Sequence, residues 1–345
     1  MTCSNCKTIP GLDDILKSRA LLEGIVRKSP LHRSRTFSDL TGTNLFLKLE
    51  SLQVTGSFKV RGAYAKVCSL SHDKAKRGVV AASAGNHAQG VAFAAARRKI
   101  RCTIVMPLAA SAAKMAATRS HGAKVIRCGA GYDDAWQAAQ EIAYSEGMSI
   151  IHAFDDSEVI AGQGTVGLEI LEDLPDVNVI YVPIGGGGLA AGVAIAIKST
   201  RPNVKIIGVE SSAFPAMKNS VESASLAEAQ DGLSIADGIA VRRPGELTYG
   251  IVRRFLDEIV LIDDESIMKT MLLLMERAKL VVEPAGAASL AYVLSNNGFV
   301  GKHDKAVAII SGGNVDLSML GQILVSAGQP LGKRATIPSS IALAD

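Results

Sequence analysis

Short, mostly apolar runs alternate with helical patterns along nearly the whole chain, and several of those runs end in glycine-rich turns. Val79–Ala82 leads into Ser83-Ala84-Gly85-Asn86-His87 and then a helical stretch over Ala88–Arg98. Val179–Pro183 leads into Gly185-Gly186-Gly187-Gly188 and a helix from Leu189, and Ala306–Ile310 ends at Ser311-Gly312-Gly313-Asn314. The remaining spacing predicts strands over Leu45–Leu49, Cys102–Met106, Lys124–Cys128, Ser149–His152 and Lys205–Val209. It predicts helices over Ala112–His121, Asp133–Glu146 and Gly162–Leu171. Apolar strands separated by helices imply an α/β fold of doubly wound parallel sheets, covered on both faces. Ligands of such sheets sit at the carboxyl ends of the strands, where the glycine-rich turns fall.

At 345 residues the chain exceeds one ordinary core and implies two domains with a cleft between them. The larger is expected from residues 1–53 and 150–328, the smaller from 54–149. Residues 329–345 are expected to form a loosely ordered tail, too short for a regulatory domain. Ser211–Asp237 lacks a strong period and reads as an insertion or mobile loop. Aromatic residues are only 4% of the chain, so the core must rest on Ala, Val, Ile and Leu. A net charge of +4 without a basic block gives no footing for nucleic acid. No apolar run is long enough to cross a membrane and no signal segment opens the chain, so the expectation is a cytoplasmic protein. Cys3 and Cys6 form a C-x-x-C without a second pair at zinc spacing, so no metal is expected there. Cys102 and Cys128 read as small core residues.

The four glycines Gly185, Gly186, Gly187 and Gly188, followed by Leu189, open a helix and can turn their amides inward to hold a phosphate. Gly185, Gly187 and Ala190 also satisfy G-x-G-x-x-A, with Glu210 at the end of the next strand, which keeps an NAD-dependent dehydrogenase open as a second reading. That reading leaves three features without work. Ser83, Ala84, Gly85, Asn86 and His87 form a strand-to-helix turn suited to a carboxylate. His87 there is either a general base or a structural residue. Ser311 brings a hydroxyl to a third strand end; a serine hydrolase is disfavoured because no G-x-S-x-G occurs. Lys59, in Thr55-Gly56-Ser57-Phe58-Lys59-Val60-Arg61-Gly62-Ala63, is either a surface lysine or a desolvated amine able to form a Schiff base.

T-G-S-F-K-V-R-G-A, S-A-G-N-H, P-I-G-G-G-G-L and S-G-G-N-V-D-L, in that order, resemble the fold type II pyridoxal-phosphate enzymes, in the threonine/serine dehydratase and serine racemase branch. The likeness runs from about Pro10 to Ser326. A-G-Q-G-T (Ala161–Thr165) and A-D-G (Ala236–Gly238) are similar to the catabolic-type threonine dehydratases. The resemblance implies pyridoxal 5'-phosphate bound through Lys59, with Phe58 near the ring and Asn86 on its 3′ oxygen. It puts Gly185–Gly188 and Leu189 on the phosphate and Ser311 at the ring nitrogen. The Ser83–His87 turn would take the carboxylate of an amino-acid substrate. Glu283 would orient the substrate or merely charge a helix N-terminus. The implied reaction is dehydration and deamination of threonine or serine; 3-hydroxyaspartate dehydration and serine racemisation are alternatives. Ala84 stands where the racemases of the branch carry a second serine, which disfavours racemisation. Ala216 stands where metal-binding members pair an Asp with Glu210, so a metal at Glu210 is doubtful. The family's usual assembly implies a homodimer or homotetramer.

Overall fold

The computed structural model describes residues 8–230, 232–295, 301 and 304–326; Cys3, Cys6 and the expected tail lie outside them. The N-terminal part supplies α1 (Leu12–Leu22), β1 (Leu31–Arg33), α2 (Arg35–Thr41) and β2 (Asn44–Leu49), closed by a 3-10 turn over Glu50–Leu52. Next come α3 (Lys59–Ser69), α4 (His72–Arg77), β3 (Val79–Ala82), α5 (Asn86–Arg97), β4 (Cys102–Met106), α6 (Ala112–Ser120), β5 (Lys124–Arg127), α7 (Tyr132–Glu146) and β6 (Ser149–Ile150). The chain continues through α8 (Ser157–Asp173), β7 (Val179–Ile184), α9 (Gly188–Thr200), β8 (Lys205–Ser211), α10 (Ala216–Glu222), α11 (Glu246–Phe255) and β9 (Glu258–Ile262). It ends with α12 (Asp264–Leu273), α13 (Pro284–Ser295), β10 (Lys305–Ile310) and α14 (Leu317–Ser326).

Two parallel sheets result. One is four-stranded, in the order β5-β4-β3-β6, and the other six-stranded, in the order β1-β2-β10-β7-β8-β9. Among the described strands only β1 runs antiparallel, pairing with β2 at the sheet edge. Every residue of β3, β4 and β7 is buried, as expected for strands covered by helices on both faces. Because small residues dominate, helices approach closely. A Cβ on Gly62 would stand 2.6 Å from the Val159 carbonyl, and one on Gly162 would stand 2.6 Å from the Gly62 Cα. α3 and α8 therefore pack almost backbone to backbone.

Several boundaries differ from the sequence reading for local reasons. α8 begins at Ser157 rather than Gly162, because the Asp156 carboxylate caps it by accepting from the amides of Glu158 and Val159. The strand expected to reach His152 stops at Ile150; the His152 ring instead accepts from the amides of Phe154 and Asp155 and turns the chain. Ser211–Asp237 is not merely an insertion or mobile loop. It contains α10, whose first amides, at Met217 and Lys218, donate to the Glu210 carboxylate at 2.8 and 2.9 Å. Among the described residues no helix is long and apolar enough to cross a membrane.

Candidate active site

The loops singled out in the sequence converge on one cleft of about 880 Å³, lined from both domains. The lysine segment is stitched to the third strand-end loop. The Phe58 amide donates to the Ser311 carbonyl at 3.1 Å, and the Gly313 amide donates to the Gly56 carbonyl at 2.8 Å. Asn314 Nδ2 donates to the Thr55 carbonyl at 2.8 Å. Gly56 has φ +71°, and a Cβ there would run into the Asn314 side chain, so glycine is required. This stitching delivers Lys59, the first residue of α3, into the cleft, where its Nζ donates to the Ala153 carbonyl at 2.9 Å. Desolvation lowers the Lys59 ammonium to about pKa 8, against the opposing pull of Glu283. Of the two readings of this lysine, a surface position is not what the structure shows: the side chain lines the cleft.

Gly185, Gly186, Gly187, Gly188 and Leu189 line the opposite wall, at the start of α9. The first amides of a helix have no partner within it, and they point here into the cleft end of a thirteen-residue helix. Gly187 takes φ +90°, and a Cβ on Gly186 would lie 2.3 Å from the Phe154 ring. The loop is therefore a cradle that side chains would fill. Thr248 fixes it by donating its hydroxyl to the Gly186 carbonyl at 2.6 Å, and the Asp155 carboxylate holds the start of α11 through the amides of Leu247 and Thr248.

The Ser83–His87 turn also faces the cleft, but its inventory is narrower than the sequence reading had it. The Ser83 amide is spent on the Val105 carbonyl, and the Ser83 hydroxyl accepts from the Gly85 amide at 3.2 Å. The amides left to an anion are those of the first turn of α5, beginning at Asn86 and His87. The His87 ring is buried and its Nε2 meets the Ile151 carbonyl at 2.8 Å. Burial, with Lys59 nearby, lowers its pKa to about 3, so it is a poor acceptor for a substrate proton.

Asn86 is the hub of a chain of side chains. Its Nδ2 donates to Glu283 Oε1 at 2.6 Å, while Asn314 Nδ2 donates to Asn86 Oδ1 at 2.7 Å. Glu283 is buried, wedged where a Cβ on Gly312 would touch it. Burial, aided by Asp237, raises its carboxyl to about pKa 7, opposed by Asn86, Lys114 and Lys59. Glu283 belongs to the cleft itself, beyond any role as a helix-end charge. Ser311 is buried at the cleft floor, its hydroxyl 3.5 Å from the Ala285 carbonyl. Ala84 lines the same cleft and brings no proton-bearing group.

Glu210 stands apart from these groups. Its buried carboxylate is committed to α10, so it does not reach a ribose or pair with a second acid. Among the described residues no three or more His, Cys, Asp or Glu side chains group as metal ligands. Asp237 of the A-D-G motif also lines the cleft, as do Phe154 and Lys114, which nothing in their local sequence marks. Asn314 lay within a noted loop, yet only the tertiary structure gives it its partners.

A pyridine aldehyde with a phosphate arm fits this donor set: an amine held partly neutral, a hydroxyl at the floor, and an amide cradle that only glycine can form. The family model described as pyridoxal-phosphate dependent enzyme matches residues 22–312. The chain belongs to that family, and pyridoxal phosphate is its cofactor. It is 48% identical over 313 residues to the L-threonine ammonia-lyase of Thermotoga maritima, covering 91% of this chain and 78% of that one. The maize serine racemase structure superposes with a TM-score of 0.88 at 34% identity, covering 93% of this chain and 98% of that one. Threonine deaminase isoform 2 from Solanum lycopersicum gives 0.88 at 36% identity, covering 93% and 91%.

Proposed function

We propose that this protein deaminates L-threonine or L-serine: the β-hydroxyl leaves as water, hydrolysis of the resulting enamine takes a water back, and the net products are a 2-oxo acid and ammonia. The observation that carries the reading is the enclosed Lys59 amine between the glycine cradle and the Ser83–His87 turn. The named activities of the Thermotoga and Solanum relatives support it.

Gly185–Gly188 and Leu189 would hold the phosphate, Asn86 the ring oxygen and Ser311 the ring nitrogen. When bound, the cofactor supplies the electron sink that makes the Cα proton of an amino acid removable. Lys59 Nζ, displaced by the substrate amine, is the base that takes that proton. The first amides of α5 would grip the carboxylate and orient the Cα–H bond toward Lys59. Ser311 would offer the ring nitrogen a hydroxyl, which would not enforce ring protonation and would favour prompt loss of the β-hydroxyl. With Ala84 offering no proton from the cleft, elimination outruns racemisation.

Purified holoenzyme incubated with L-threonine and L-serine should yield 2-oxo acid and ammonia in equal amounts. Lys59→Ala should lower the rate by on the order of 10²–10⁴-fold, the usual contribution of a positioned acid–base group. Turnover retained in that variant, or D-serine as the main product of L-serine, would count against the reading.

A further inference from the structure

Aromatic residues are scarce in this chain, and there is one tryptophan, yet four rings stand in a column that ends in the cleft. Tyr132 stacks on Trp136 with centroids 6.4 Å apart. Trp136 meets His152 edge-on at 5.2 Å, and His152 meets Phe154 edge-on at 4.7 Å. His152 is itself fixed, because its Nδ1 accepts from the Phe154 and Asp155 amides. Phe154 thus has its backbone and its ring both held. It follows directly on Ala153, whose carbonyl takes the Lys59 amine, and its ring lies against Gly186. Ile239 and Val241, which pack against the neighbouring Gly185, and Ala240 line the same cleft, with Arg242 and Arg243 following them.

We infer that Phe154 is the specificity-determining residue of this site, the wall against which the β-substituent of the amino acid packs. The inference rests on the deamination reading and deepens it by ranking the substrates. A substrate with its carboxylate at the Ser83–His87 turn and its Cα at Lys59 sends its β-carbon toward the glycine cradle and this wall. A β-methyl gains contact with the ring. Threonine is therefore preferred to serine. The column behind Phe154 keeps the wall from yielding.

The test is the ratio of kcat/KM for threonine to that for serine, in wild type, Phe154→Ala and Phe154→Leu. That ratio does not depend on the fraction of enzyme that is folded or loaded with cofactor, so general damage cannot mimic the effect. Phe154→Ala should lower the ratio roughly 10-fold, the low end for one methyl in an apolar pocket, and Phe154→Leu should restore part of it. A parallel readout is binding of the non-reacting pair L-2-aminobutyrate and L-alanine, followed by the emission of Trp136. Wild type should prefer the former and Phe154→Ala should not. An unchanged ratio in Phe154→Ala, or a wild type that favours serine over threonine, overturns the inference. If wild type turns over neither threonine nor serine, the deamination reading fails, and the binding pair still decides the role of Phe154.

Discussion

Lys59 and Glu283 lose most of their water in the same cleft, and the loss pushes both toward their neutral forms. The lysine falls from its ordinary 10.5 to about 8, and the carboxyl rises from 4.5 to about 7. Attack on an aldehyde needs the free amine. The rate at which apoenzyme takes up pyridoxal phosphate should therefore rise about tenfold per pH unit below pH 8 and level off above it. Ionised Glu283 helps Lys59 keep its proton, so in Glu283→Gln the midpoint of that rise should move to lower pH; an upward move would contradict the account. His87 makes a separate prediction about stability. Its pKa is about 3 in the fold and 6.5 when solvated. Between those values the unfolded chain binds a proton that the folded chain refuses, so this contribution is lost as pH falls through that window. Urea midpoints of a His87→Gln variant should decline less steeply than wild type from pH 6.5 toward 3, and a parallel decline would refute the assignment.

At the scale of elements, the helix that presents Lys59 is clamped to α8 and β2 by buried charges. Arg61 Nε donates to Glu50 Oε2 at 2.8 Å, and its Nη1 reaches Glu169 Oε1 at 2.6 Å. Lys48 completes the set at 2.6 Å from Glu169 Oε2. Removing one partner strands the others without water, so Arg61→Met should cost about 3–5 kcal/mol in urea unfolding. Gly162→Ala, which forces α3 and α8 apart, should cost about 1–3 kcal/mol. Unchanged midpoints would show that these contacts do not hold the helix. The sequence displays Arg61 and Gly162 but not their partners, because the pairing spans 108 residues from Arg61 to Glu169. By contrast β3, β7 and their glycine-rich ends were legible, since a strand, its turn and the next helix are adjacent in the chain. The glycines of α8 hid its first turn, which the Asp156 cap restores.

For the molecule as a whole, the two domains are tied across the cleft by Lys114 of α6. Its Nζ lies 2.9 Å from Asp237 and 3.6 Å from Asp316, and the Ser111 hydroxyl donates to Asp316 at 3.0 Å. The pairs are partly exposed, so salt screens them and their worth is about 1 kcal/mol or less. If they hold the closed cleft, wild-type KM should climb with ionic strength by up to about fivefold. Lys114→Met should start from the higher KM and respond weakly to salt; equal salt slopes would exclude the tie. The two-sheet α/β architecture was legible as a pattern of alternation, and the cleft as the place where glycine-rich strand ends meet. The antiparallel β1, the helix inside Ser211–Asp237 and the Asn314–Asn86–Glu283 chain were not. Each depends on residues far apart in sequence finding one another, and local patterning carries no signal for that.

The central claim is that Lys59 is the residue that holds the cofactor. Borohydride reduction of the holoenzyme, followed by peptide mass mapping, tests it directly. The account predicts a reduced pyridoxyl adduct on the peptide containing Lys59 and on no other, absent from Lys59→Ala. An adduct on a different lysine, or none in a holoenzyme that turns over substrate, would contradict it.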